Sequence, residues 1–172
     1  HPNAIEFVEY AKRVGAKVGL ITNGSRLSEN NSRKLLEADI DMIEISVDAC
    51  DASTYSCVRP GLDWEKLVNN VRTLYEMRNK LNVSTKIIAS AVNQKGININ
   101  DVEKFWIQYT DHFQKRKYLT WGMGDPDKSA DPAPYLDPQD NVPCPFLFER
   151  LNIDSLGNVM VCGYDIAART NM

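Results

Sequence analysis

Strand-like and helix-like segments alternate from Ala4 to Trp121, and this alternation restricts the possible folds more than any other feature of the chain. Apolar runs predict four strands, at residues 18–21, 42–47, 85–92 and 118–121. Apolar residues at helical spacing lie between the runs. Such alternation is typical of parallel strands joined by right-handed crossovers. We therefore predict an α/β protein, either a (β/α) barrel or a doubly wound open sheet.

Capping residues mark where the predicted helices begin and end. Ser28 and Asp63 are candidate N-caps of the second and third helices. Asn100 and Glu103 resemble a capping box that opens the last helix. The first helix is predicted to end at Gly15, and its apolar face to consist of Ala4, Phe7, Val8, Ala11 and Val14. The continuous apolar run at 18–21 predicts a strand buried on both faces.

Composition excludes several classes of protein. The net charge of −3 lacks the basic footprint of a nucleic-acid-binding protein. No apolar run approaches the roughly 18 residues that a membrane span needs, and the charged opening segment does not resemble a signal peptide. We therefore expect no nucleic-acid or membrane partner, and a cytoplasmic location. In that compartment the four cysteines would be free thiols or metal ligands rather than disulfides.

Polar residues follow three of the predicted strands. The carboxyl ends of parallel strands meet at one edge, where such folds bind ligands. The interpretation as a pocket for a small polar ligand stands beside a plainer one, in which these residues form turns and caps. The candidates are Thr22, Asn23 and Gly24 after the first strand, Ser46 and Asp48 after the second, and Asn93 after the third.

Arg59 lies shortly after the second strand, in the sequence Val58-Arg59-Pro60-Gly61. A lone arginine is usually a solvated charge. In a ligand pocket at the carboxyl ends of the strands, its guanidinium can also bind a carboxylate through two hydrogen bonds.

The alternation stops after Trp121, where six of the eight prolines fall within residues 126–145. Two short β-like runs around Ser155-Leu156-Gly157 then predict a hairpin. Cys144 precedes Gly157 by twelve intervening residues, and Cys162 follows it after four. Thiolates brought together by a hairpin suit zinc or an iron–sulfur cluster, although the two can also be unrelated.

The other cysteines and the histidines give no catalytic pattern. Cys50 and Cys57 match no ligand spacing and are predicted to be structural. His1 is terminal, and His112 is predicted to lie at the end of a surface helix.

Taken in order, these residues resemble a family, the radical S-adenosylmethionine enzymes with a SPASM or twitch extension. The Cys-x(9–15)-Gly-x4-Cys opening of that extension is matched by Cys144, Gly157 and Cys162. The barrel part of the resemblance is carried by Thr22-Asn23-Gly24, Ile45-Ser46-Val47-Asp48, Tyr55, Arg59-Pro60-Gly61 and Asn93.

The resemblance implies a partial (β/α)6 TIM-like barrel that holds strands three to six, followed by the start of the SPASM/twitch β-hairpin. The implied domains are a partial barrel at 1–122, a proline-rich connecting loop at 123–143 and the opening of the auxiliary-cluster domain at 144–172. The implied chemistry is reductive cleavage of S-adenosylmethionine by a 4Fe–4S cluster, and abstraction of a hydrogen atom from a peptide, sugar or small metabolite. Flavodoxin or ferredoxin would donate the electron.

The resemblance also implies roles for the candidate residues. Thr22, Asn23 and Gly24 would line the cofactor pocket, with Asn93 as a further pocket residue. Ser46 and Asp48 would lie near the methionine or ribose part, and Arg59 near the methionine carboxylate. Cys144 and Cys162 would be the first two ligands of an auxiliary iron–sulfur cluster, and no catalytic residue is assigned.

The family's Cys-x3-Cys-x2-Cys motif, which binds the first cluster, does not occur in this sequence. His1-Pro2 resembles the tail of the Gly-Gly-Glu-Pro motif that ends the second barrel strand. We therefore expect the chain to be an internal fragment that does not cleave S-adenosylmethionine alone. The alternatives are a non-catalytic α/β barrel-like binding module and a zinc-stabilised α/β domain.

Overall fold

The computed structural model describes residues 1–119, 128–130 and 145–163. Its contacts divide the chain into two units, Pro2–Lys117 and Tyr118–Met172, the latter together with His1. Among the described residues, no helix has the length and apolar character that crossing a membrane requires.

The Pro2–Lys117 unit is a mixed α/β structure. Its elements in chain order are α1 (Ala4–Arg13), β1 (Gly19–Thr22), α2 (Glu29–Glu37), β2 (Met42–Ser46), α3 (Ala52–Val58), α4 (Trp64–Leu81), β3 (Lys86–Asn93), α5 (Ile99–Trp106) and β4 (His112–Lys117).

The four strands form one parallel sheet in the order β1-β2-β3-β4. This confirms the prediction of parallel strands for the first three predicted strands, which correspond to β1, β2 and β3. Successive side chains point to opposite faces of the sheet. The first face carries Ile43, Ile45, Ile87 and Ala89, all fully buried in the core with apolar residues of the flanking helices. The second face carries Glu44, Ser46 and Ser90 among others.

Two of the predicted helix caps are confirmed. The Ser28 hydroxyl accepts a hydrogen bond from the Asn31 amide at 3.3 Å, and the Asp63 carboxylate accepts one from the Lys66 amide at 3.0 Å. The start of α5 was misplaced by two residues, because Asn98 rather than Asn100 is its N-cap.

The prediction for the fourth strand is wrong. The strand is His112–Lys117, hydrogen-bonded to β3, whereas the predicted segment at 118–121 is irregular as far as it is described. His112 is therefore the first residue of a strand and not the end of a helix. Phe113 is the only buried side chain of β4, so the strand has no apolar run by which to recognise it.

The region around α1 and β1 is less buried than its apolar sequence predicts. Of the predicted apolar face of α1 only Val8 is buried, whereas Phe7 is 59% exposed and Val14 63% exposed. Ile21 on β1 is 62% exposed, so this strand is not buried on both faces. β1 is at the end of the strand order and pairs with β2.

The other unit contains the short helix α6 (Phe146–Glu149) and an antiparallel hairpin of β5 (Asn152–Ile153) and β6 (Val159–Met160). This confirms the predicted hairpin. Its turn is closed by Asp154, whose carboxylate accepts hydrogen bonds from the amides of Leu156 and Asn158 at 2.8 and 2.9 Å. The predicted connecting loop at 123–143 lies outside the described residues except for 128–130, so its boundaries stay predictions.

Candidate functional site

The polar residues predicted at the strand ends lie at one edge of the sheet. Thr22 ends β1 and is in register with Ile45 on β2, Ser46 ends β2 opposite Ser90, and Asn93 ends β3. The three strands are neighbours and run in the same direction. Their carboxyl ends therefore bring these groups to the edge where α/β proteins bind small ligands.

The segment after β1 is a tight polar turn. The Thr22 hydroxyl accepts a hydrogen bond from the Gly24 amide at 3.2 Å. The Asn23 side-chain oxygen accepts from the amide and the hydroxyl of Ser25, at 3.1 and 2.8 Å. These bonds give the turn a fixed shape. Both bonds from Ser25 use the Asn23 side-chain oxygen, and neither uses the Asn23 side-chain NH2 group, which is a hydrogen-bond donor.

Gly24 has a structural reason to be glycine. Its φ of +75° is in the left-handed region, and a Cβ atom there would lie 2.5 Å from Leu67 Cδ1 and 3.1 Å from Ile45 Cγ2. Its carbonyl accepts a hydrogen bond from the buried side chain of Asn70 at 2.8 Å. The turn is thus fixed against both α4 and β2.

Asn70 was not predicted to belong to the site. The signal is visible in the sequence, because a polar residue interrupts the apolar stripe of Leu67, Val71 and Leu74 on α4. A buried amide in such a stripe requires a hydrogen-bond partner, and the partner here is the turn at the strand end.

Asp48 and Arg59 form a partly buried ion pair at the same edge. Asp48 Oδ2 accepts hydrogen bonds from Arg59 Nε at 2.7 Å and from Arg59 Nη2. Asp48 Oδ1 accepts one from the Val92 amide at 2.8 Å. Asp48 has a φ of +51°, an unfavourable conformation for a residue other than glycine, and is 3% exposed.

This arrangement refines the roles that the resemblance implies. Both carboxylate oxygens of Asp48 are already engaged, so Asp48 joins β2 to β3 and orients Arg59. The Arg59 side chain is 33% exposed. Its Nη1 takes part in none of the hydrogen bonds within the described part of the chain. An oriented guanidinium with a donor to spare fits a carboxylate ligand.

The helix that precedes Arg59 is fixed at its start. The Asp51 carboxylate is the N-cap of α3 and accepts from the Thr54 amide at 2.9 Å. Hydrogen bonds from the Thr54 amide and hydroxyl are the main causes that lower the pKa of Asp51 to about 2. Tyr55 on the same helix is 1% exposed and lies 5.6 Å from the Trp64 ring. It therefore packs in the core and does not face the site.

The cysteines are dispersed over both units. Cys162 is half-buried, just after the hairpin, and Cys144 lies outside the described residues. In the other unit Cys50 is half-buried, with a pKa that burial raises, and Cys57 is exposed. Within the described ranges no three His, Cys, Asp or Glu side chains are grouped as metal ligands.

No family model matches the chain, and no curated protein matches it. The structure itself defines an α/β protein with a four-stranded parallel sheet flanked by helices. Its candidate site is the polar edge formed by the Thr22–Gly24 turn, Ser46, the Asp48–Arg59 pair and Asn93.

Proposed function

We propose that the chain is part of a radical S-adenosylmethionine enzyme, with barrel strands three to six followed by the opening of a SPASM/twitch auxiliary domain. The Asp48–Arg59 ion pair carries this proposal. It provides an oriented guanidinium at the carboxyl edge of the sheet, at the position where the family resemblance requires a group for the methionine carboxylate.

The strand order supports the barrel reading over a doubly wound sheet. A doubly wound sheet reverses its strand order at a switch point, whereas barrel strands follow one another around the sheet. The four strands here follow one another without reversal. Ile21 on the edge strand β1 is 62% exposed, and a preceding βα unit would cover it.

The residues at the edge fit S-adenosylmethionine by their chemistry. Arg59 would bind the carboxylate of the methionine part, and Ser46 would offer a hydroxyl nearby. The Thr22–Gly24 turn would line the pocket with its backbone and the Asn23 amide, and Asn93 would add a further polar group. With a 4Fe–4S cluster elsewhere in the enzyme, S-adenosylmethionine would supply the radical chemistry for abstracting a hydrogen atom from the substrate.

The auxiliary cluster is proposed on the spacing of Cys144 and Cys162 around the hairpin. The turn of that hairpin contains Gly157 at a φ of +91°, a conformation that glycine adopts most readily. Cys162 directly follows the hairpin, two residues after Met160. We place the enzyme in the cytoplasm, with flavodoxin or ferredoxin as its reductant and a peptide, sugar or small metabolite as its substrate.

Two measurements test the proposal against its alternatives. The coding sequence that contains this chain should encode Cys-x3-Cys-x2-Cys before it, at the end of a predicted strand. The complete gene product, purified without oxygen, should contain iron and acid-labile sulfide. Absence of the cysteine motif would instead indicate a non-catalytic barrel-like binding module, and zinc without sulfide would indicate a zinc-stabilised domain.

A further inference from the structure

Three polar residues form a row on the second face of the sheet. Ser46 on β2 is in register with Ser90 on β3, and Ser90 is in register with Gln114 on β4. Sheets of parallel strands usually have apolar side chains on both faces. In this sheet one row of the second face is polar across three adjacent strands, with Ile88 and Val92 on either side of Ser90 along β3.

A partly buried ion pair crosses this row. Arg116 on β4 donates to the Glu44 carboxylate on β2 through Nε at 2.8 Å and through Nη2 at 2.6 Å. The Glu44 side chain is 5% exposed, whereas the Arg116 side chain is 47% exposed. Glu44 therefore holds the inner edge of the guanidinium and leaves its outer part accessible.

Ser90 lies between the two charged residues. The register places Glu44 opposite Ile88 and Arg116 opposite Val92, so a line between them crosses β3 at Ser90. Ser90 is 2% exposed, and its hydroxyl forms no hydrogen bond within the described parts of the chain. A buried hydroxyl without a partner is uncommon and requires an explanation such as a missing ligand.

The outer part of Arg116 is the other unused donor on this face. Its Nη1 takes no part in the bonds to Glu44 and has no partner among the described residues. A guanidinium fixed by one carboxylate is well placed to bind a second, because little side-chain entropy is lost when the second one binds. Gln114, exposed in the same row, offers both a donor and an acceptor.

We propose that the second face of the sheet binds the substrate, and that the substrate presents a carboxylate to Arg116. The assignment to a substrate rests on the proposed function, in which this face lines the inside of the barrel. Arg116 would bind the carboxylate through Nη1, and Ser90 and Gln114 would bind polar groups next to it. This restricts the substrate to carboxylate-bearing metabolites or peptides.

The test is a titration of the complete gene product with N-acetylglycine, followed by the NMR signal of the Arg116 Nε–H group. N-acetylglycinamide, which has the same shape without the charge, is the matched control ligand. We expect saturable shifts with N-acetylglycine and none with the amide. Shifts of equal size with both ligands, or no saturable shift with either, would overturn the proposal.

Variants assign the binding to this arginine. Arg116→Gln alone would leave Glu44 buried without its partner, so the main variant is Glu44→Gln/Arg116→Gln, which removes both charges. We expect its affinity for N-acetylglycine, followed by backbone amide shifts on β3 and β4, to fall at least about tenfold, as for a lost charge-assisted contact. Lys117→Gln removes a charge from the next position on the opposite face of β4. It should change the affinity less than about twofold.

Two further results would count against the proposal. Unchanged affinity in the folded double variant would show that the anion binds elsewhere. Displacement of N-acetylglycine by S-adenosylmethionine would assign the carboxylate to the cofactor and not to the substrate. Neither result bears on whether the complete enzyme cleaves S-adenosylmethionine, which is measured separately.

Discussion

Substitution of Gly24 by alanine tests how the candidate site is built. The left-handed φ of Gly24 costs alanine about 1–2 kcal/mol. The added methyl group would also meet Leu67 Cδ1 at 2.5 Å and Ile45 Cγ2 at 3.1 Å. Leu67 is 1% exposed and Ile45 is fully buried, on a strand and with a stiff β-branched side chain. Overpacking at such a site adds about 1–3 kcal/mol, so we expect Gly24→Ala to lower the free energy of unfolding by about 2–5 kcal/mol.

Gly96→Ala is the matched control. Gly96 also has a positive φ, +83°, but no heavy atom lies within 4 Å of the place where its Cβ atom would be. Urea unfolding followed by far-UV circular dichroism should give a loss of about 1–2 kcal/mol for this variant, from the backbone alone. The difference between the two variants then measures the packing of the turn against α4 and β2. Equal losses for the two would refute the reasoning that Gly24 is required by close packing.

Three further predictions concern the sheet, the cofactor site and the proposed cluster. Asp111→Asn should lower the free energy of unfolding at pH 7 by about 1–3 kcal/mol, because Arg78 binds this carboxylate through two nitrogens at 2.7 and 2.6 Å. The hydrogen bonds from Arg78 are the main cause that lowers the pKa of Asp111. The difference in unfolding free energy between Asp111→Asn and wild type should therefore be full above about pH 4, the pKa of Asp111 in the unfolded chain, and should shrink as the pH falls below it. A pH-independent difference in urea titrations would contradict this. Arg59→Ala in the complete enzyme should weaken binding of S-adenosylmethionine by roughly 30-fold or more, the cost of about 2 kcal/mol for a lost charged partner, and equal affinities by calorimetry would show that Arg59 does not bind the cofactor. Cys144→Ala or Cys162→Ala in that enzyme should lower the iron content per chain while the first cluster remains, and unchanged iron in both would rule out the cluster role.

The parallel sheet was predictable because three of its strands have apolar side chains on the face that packs against the helices. β4 was not predictable, because Phe113 is its one core side chain and others, such as Lys115 and Arg116, form polar contacts. Arg116 pairs with Glu44, and Lys115 pairs with Glu103 on α5 at 2.8 Å. A strand whose partners are charged residues far away in the sequence has no local apolar signal.

The polar residues at the strand ends could be named from the sequence, but Asn70 and the arrangement of the site could not. Polar residues after buried strands pointed to Ser46, Asp48 and Arg59, which lie at the carboxyl end of β2 or after it. The sequence could not show that Asp48 and Arg59 bind each other, because that contact depends on the path of α3. It also could not show that Glu44, within an apolar strand, meets a partner two strands away.

The most direct test of the proposed function is the formation of 5′-deoxyadenosine. The complete gene product is purified without oxygen, supplied with iron and sulfide, and incubated with S-adenosylmethionine and dithionite. We predict that 5′-deoxyadenosine forms with a first-order dependence on enzyme, and that it disappears when the upstream cluster cysteines are changed to alanine. Absence of 5′-deoxyadenosine from a preparation that holds a full 4Fe–4S cluster, or its equal formation in the cysteine variants, would contradict the proposed function.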